Sequence, residues 1–137
     1  MRQTTVTDVE GNTSVVAFDG SGNAIMVTDA AGNVTRQEYD SLGRISSRTD
    51  ALGGKISYVY NAHGDLTRIT DANGKVTELS YDAAGKLLHT AACGVITERY
   101  EYDCVGRTSR YEQADGFSIS YAYDAMGRVS QINGSNG

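Results

Sequence analysis

An aromatic residue followed by Asp or Asn, two variable residues and Gly returns every 21 residues, and no other feature limits the fold of this chain so strongly. The six copies begin at Phe18-Asp19, Tyr39-Asp40, Tyr60-Asn61, Tyr81-Asp82, Tyr102-Asp103 and Tyr123-Asp124, and Gly22, Gly43, Gly64, Gly85, Gly106 and Gly127 close them. A second register lies between: Thr7-Asp8, Thr28-Asp29, Thr49-Asp50 and Thr70-Asp71 precede a Gly at the same spacing. It weakens near Gly94 and returns at Asp115-Gly116. A fixed period of this length marks a repeat architecture, in which each unit is covered by its neighbours and not by a common centre.

Each period therefore holds two turns. In Asp-x-x-Gly the carboxylate can accept a hydrogen bond from a backbone N–H two residues on, the middle residues take the right-handed helical region, and Gly supplies the left-handed position of a G1 bulge. The segments between turns alternate as half-buried strands do: Ile56-Ser57-Tyr58-Val59-Tyr60 and Ile119-Ser120-Tyr121-Ala122-Tyr123 put Ile, Tyr and Tyr on one face. Val16 with Phe18, Leu79 with Tyr81 and Tyr100 with Tyr102 continue that face. The return strands carry Ala24, Ile45, Leu66, Leu87 and Val129 two residues after the turn Gly, with Thr108 the exception. Gly recurs too often for any long helix. The expected fold is all-β, with tandem antiparallel β-hairpin repeats forming a coiled single-layer sheet or part of a β-shell. Six hairpins make about twelve strands, and the rotation of about 20–25° between neighbours makes such a sheet coil. One array is expected over residues 1–137, clear from 7 to 132.

Composition agrees. Nine Tyr, two Phe and no Trp suit a half-wetted sheet, because a tyrosine ring can pack while its hydroxyl stays hydrated. Sixteen Gly without a single Pro leave every backbone N–H after the first residue free to join a ladder. The formal net charge of −5 argues against nucleic acid or an anionic membrane surface as partner. No stretch approaches the roughly 20 apolar residues of a spanning helix, and Met1 to Asp8 lacks the apolar centre of a signal peptide. Neither membrane insertion nor a targeting segment is expected of this chain.

The motif Tyr-Asp-x-x-Gly-Arg at Tyr39 to Arg44, Tyr102 to Arg107 and Tyr123 to Arg128 resembles the YD, or Rhs, repeat, as does the longer stretch from Gly94 to Arg107. The resemblance extends from about Thr7 to about Ile132. Asn23, Asp65 and Lys86 stand where the pattern has Arg, Phe18 replaces Tyr, and Asn61 replaces Asp. Proteins of this family build a hollow shell from a spiralling sheet of hairpins, enclosing a toxic domain in bacterial Rhs proteins and insecticidal toxin complexes and serving cell adhesion in teneurins. The resemblance implies a non-catalytic scaffold, a wall segment that encapsulates a toxin or cargo domain, with a secreted or cell-surface location. Its implied partners are further repeats of a parent chain, self-association through sheet edges, or an enclosed toxin domain. Because the chain has no Pro, the family's Pro-containing self-cleavage motif has no counterpart and no catalytic Asp is assigned.

The candidate sites have ordinary structural explanations beside them. Asp19, Asp29, Asp40, Asp50, Asp71, Asp82, Asp103 and Asp124 are expected to cap turns, not to bind metal. Cys93 and Cys104 fall at opposite ends of the segment Val95–Tyr102, roughly 25 Å apart at ~3.3 Å per residue, whereas a disulfide needs Cα atoms within about 7 Å. His63 occupies a turn and His89 a return strand, with no nucleophile placed beside either. Arg44, Arg107 and Arg128 should pair with nearby carboxylates. The tyrosines Tyr58, Tyr60, Tyr81, Tyr100, Tyr102, Tyr121 and Tyr123, with Tyr39, have two readings: lining a packed face, or stacking sugar rings in a glycan- or cell-surface-binding module. No cofactor or metal is expected.

Overall fold

The computed structural model describes residues 1–137. It contains thirteen β-strands and no helix: β1 (Arg2–Thr7), β2 (Thr13–Phe18), β3 (Ala24–Thr28), β4 (Val34–Tyr39), β5 (Ile45–Thr49), β6 (Lys55–Tyr60), β7 (Leu66–Thr70), β8 (Val76–Tyr81), β9 (Leu87–Ala92), β10 (Val95–Tyr102), β11 (Thr108–Gln113), β12 (Ser118–Tyr123) and β13 (Val129–Ser135). Sheet order follows chain order from β1 to β13. One strand more than the expected twelve is present because Arg2–Thr7 pairs with β2 ahead of the first turn.

The chain divides into two compact units, residues 1–59 with 69–75 and residues 60–68 with 76–137. Within the first, the β1–β2 ladder runs unbroken from Arg2↔Phe18 to Thr7↔Thr13. The β2–β3 and β4–β5 ladders slip by one residue at Ala17/Phe18 and at Glu38/Tyr39, so that Phe18 faces Ala24 and Tyr39 faces Ile45. The second unit repeats the slip at Ser80/Tyr81, Glu101/Tyr102 and Ala122/Tyr123. These are the G1 bulges anticipated from the turn Gly residues, which all have φ between +77° and +98°.

Two turns break the rule. Ala92-Cys93-Gly94-Val95 is one residue short, and its two central residues both have positive φ, 51° at Cys93 and 81° at Gly94, as a tight two-residue hairpin requires. The missing residue is restored on the next strand, where Thr97 forms a bulge between Ile96 and Glu98. In the turn after β11 the leading position belongs to Gln113, whose N–H bonds the carbonyl of Phe117; Asp115 sits inside the turn and accepts only the Phe117 N–H. Asp115 is therefore not the equivalent of the other turn aspartates.

No large side chain is fully buried. The covered residues are small: Ala17, Ala91, Ser47 and Ser118. A single layer offers no second face against which rings could be enclosed, so all nine tyrosines remain half-buried.

Candidate functional site

Ten turns share one hydrogen-bond pattern. One carboxylate oxygen of Asp8, Asp19, Asp29, Asp40, Asp50, Asp71, Asp82, Asp103 and Asp124 accepts the backbone N–H groups two and four residues on, at 2.8 to 3.1 Å, and the amide oxygen of Asn61 does the same. The second oxygen takes the side chain at the end of the turn: the amides of Asn12, Asn23 and Asn33, or the guanidinium groups of Arg44, Arg107 and Arg128. The Asn side-chain amide, then backbone N–H bonding, holds Asp8, Asp19 and Asp29 below the usual carboxylate range. At Asp40, Asp103 and Asp124 the leading cause is the backbone N–H of the Arg itself. The aspartates expected to cap turns are thus committed to their own loops.

The aromatic residue that opens each motif does more than pack. Tyr39, Tyr81, Tyr102 and Tyr123 donate their hydroxyls to the carbonyls of Ala24, Leu66, Leu87 and Thr108, always fifteen residues back, at 2.7 to 2.8 Å. The β3–β4 ladder stops at Met26↔Arg36 and the β11–β12 ladder at Arg110↔Ser120, so these strands part before the aromatic end. The hydroxyl satisfies a carbonyl that the ladder has abandoned. Thr108, the apolar exception, serves equally because only its carbonyl is used. Phe18 needs no hydroxyl, since the β1–β2 ladder is closed to its last pair.

A cation covers several of these rings, sixteen residues ahead of each: Arg2 lies 5.0 Å from the Phe18 centroid, Lys86 5.2 Å from Tyr102 and Arg107 4.3 Å from Tyr123. The Lys86 ammonium also donates to the Gly106 carbonyl. Over Tyr81 the corresponding residue is Asp65. Burial, and then the Asp65 carboxylate, push the Tyr81 phenol above its ordinary value. A groove of about 600 Å³ opens there, lined by Asn61, His63, Asp65, Tyr81, Asp82 and Gly85 among others.

The candidate tyrosines fall at two positions of the repeat. Tyr60, Tyr81, Tyr102 and Tyr123 occupy the motif position, and one ring face of both Tyr102 and Tyr123 is taken by a cation. Tyr58, Tyr100 and Tyr121 sit two residues earlier on β6, β10 and β12. Tyr111, which the repeat pattern did not single out, packs its ring 5.2 Å from Tyr100 and donates to Glu98 at 2.9 Å. Glu98 also accepts the Tyr100 and Thr90 hydroxyls, at 3.3 and 3.2 Å. Burial, followed by Glu98, raises both phenols. His63 is exposed in its turn and His89 half-buried on β9. Cys93 and Cys104 are unbridged and exposed, at the two ends of β10.

Similarity to known proteins follows the same architecture. The chain is similar to the crystal structure of TcdB2-TccC3-Cdc42, with a TM-score of 0.73 and 26% identity over 86% of this chain. It is similar to that of TcdB2-TccC3-TEV as well, with a TM-score of 0.72 and 25% identity over 89%. It spans only 7% of the length of either matched chain. The Tc holotoxin pore of Photorhabdus luminescens, at 20% identity over 94% of this chain and 9% of its own, shares the fold with a TM-score of 0.65. No curated protein sequence matches. The profile described as RHS Repeat matches residues 18–55 and 60–92, more than half of the sequence, and the chain belongs to the RHS repeat family.

Proposed function

We propose that this chain is a wall segment of an Rhs-type shell, a scaffold that encloses a toxin or other cargo domain of an exported parent protein and performs no chemistry itself. The observation that carries this reading is the open, single-layer sheet of 21-residue hairpins, similar to part of much longer Tc toxin chains. In ten turns one side-chain oxygen of the leading Asp or Asn is bonded to the backbone of its own loop, so these groups serve shape. Every residue of β1 and β13 is exposed, as expected where further repeats would continue the sheet on either side.

Limited proteolysis of the full-length parent tests the reading. A domain carried beyond the repeats should resist trypsin while the repeats are intact and become sensitive once this segment is deleted. Equal sensitivity with and without the segment would refute enclosure. For the chain itself, light scattering should show association through its edges that Ile132→Lys on β13 reduces.

A further inference from the structure

The same groove recurs with the repeat. One copy places Arg2 beside Asp19 and Gly22. Another, of about 340 Å³, places Lys86 beside Asp82, Tyr102 and Gly106. The third, between the turns of Asn61 and Asp82, contains the counterpart of every residue lining the second, each shifted by one 21-residue period, and extends further to Thr67, Leu79 and Ser80. Where Arg2 and Lys86 lie over Phe18 and Tyr102, Asp65 stands beside Tyr81. Substituting a carboxylate for a cation reverses what the groove attracts.

The remaining groups are set for a cation. The Asn61 amide donates to one oxygen of Asp65 at 3.0 Å and fixes its orientation. The other oxygen lies 3.9 Å from where a β-carbon on Gly85 would stand, beside the residue equivalent to the one whose carbonyl receives Lys86. The Tyr81 ring is fixed by its hydroxyl bond to Leu66, and Asp82 also lines the groove. A planar guanidinium can stack on the ring while giving N–H groups to Asp65, which an ammonium cannot do as well. We propose that the groove over Tyr81 is a docking site for an arginine side chain of a second polypeptide, which supplies in trans the cation that Arg2, Lys86 and Arg107 supply within the chain. This goes beyond the shell reading and does not depend on it.

The test uses the full 137-residue chain, labelled with ¹⁵N, titrated with a blocked Gly-Arg-Gly peptide and with its citrulline analogue, which has nearly the same shape without the charge. Saturable shifts centred on the amides of Tyr81 and Gly85 are expected with arginine, and at least about tenfold weaker binding with citrulline. Asp65→Arg should abolish binding by filling the groove from within and should raise Tm. Asp65→Asn, which retains the size of the side chain, should weaken binding as citrulline does, and it decides the matter should Asp65→Arg fail to fold. Equal binding of the two peptides, or undiminished binding by Asp65→Asn, would overturn the site. Spermidine shifting the same amides at lower concentration than the peptide would overturn the polypeptide assignment.

Discussion

Tyr102→Phe removes one oxygen atom and, with it, the 2.7 Å bond from the hydroxyl to the Leu87 carbonyl. The ring stays, so no cavity forms, and Lys86 still has an aromatic face to cover, as Arg2 does over Phe18. The loss is therefore that of one hydrogen bond to a strand carbonyl, about 1 kcal/mol. The half-buried setting places it toward the lower part of the usual range of about 0.5 to 1.5 kcal/mol, because water can reach the carbonyl in compensation. For a chain of this length that corresponds to about 2–4 °C in Tm. Urea unfolding followed by far-ultraviolet circular dichroism measures the change in midpoint at constant slope. Tyr121→Phe is the control: its hydroxyl caps no strand carbonyl, so its stability should change by less than about 0.5 kcal/mol. Equal losses for the two substitutions would refute the role given to the hydroxyl bond, and so would no loss at Tyr102.

Other expectations follow from the turns. Gly22→Ala should destabilise by about 1–2 kcal/mol because its φ of +88° is strained for any residue with a β-carbon, although that carbon would meet nothing within 4 Å. Gly20→Ala, in the same turn and equally open but without positive φ, should instead stabilise by up to about 1 kcal/mol; thermal melts of the two variants separate backbone strain from loss of space. Asp8, Asp19, Asp29, Asp40, Asp103 and Asp124 titrate lower in the folded chain than when unfolded, so their contribution is complete above about pH 4 and is lost as pH falls through their folded values. The phenols of Tyr81, Tyr100, Tyr102 and Tyr111 are shifted upward, so their contribution is present below about pH 10 and lost above it; a urea midpoint that stayed flat from pH 2 to 11 would contradict both. Cys93 and Cys104 should both react with a thiol reagent in the native state, without the lag that unfolding would impose.

The turns were legible in the sequence because their determinants are local. Asp and Gly three residues apart carry the hydrogen-bond acceptor and the positive φ that the loop requires, and the structure uses them so in nearly every copy. Gln113 was missed for the same reason: nothing nearby distinguishes it, whereas Asp115 resembles a cap and is only a residue inside the loop. The links between neighbouring strands were not legible. Reading the Tyr102 hydroxyl onto Leu87, or Lys86 onto Tyr102, requires the stagger of one hairpin against the next. A period of 21 residues shows that the same offset recurs but not its value. The signal for the groove was present in the substitutions themselves: Asn61 and Asp65 reverse the usual order of acid and partner.

The bulge at Thr97 has a consequence for how such arrays change over generations. A loop one residue shorter at Cys93 would, uncorrected, turn the following strand over and set every later unit out of step. Taking up the slack four residues downstream confines the error to one hairpin, and Tyr102 arrives on schedule. Each unit thus keeps its own frame, because a loop and the strand after it can exchange a residue while the 21-residue spacing, and every later unit, stays where it was.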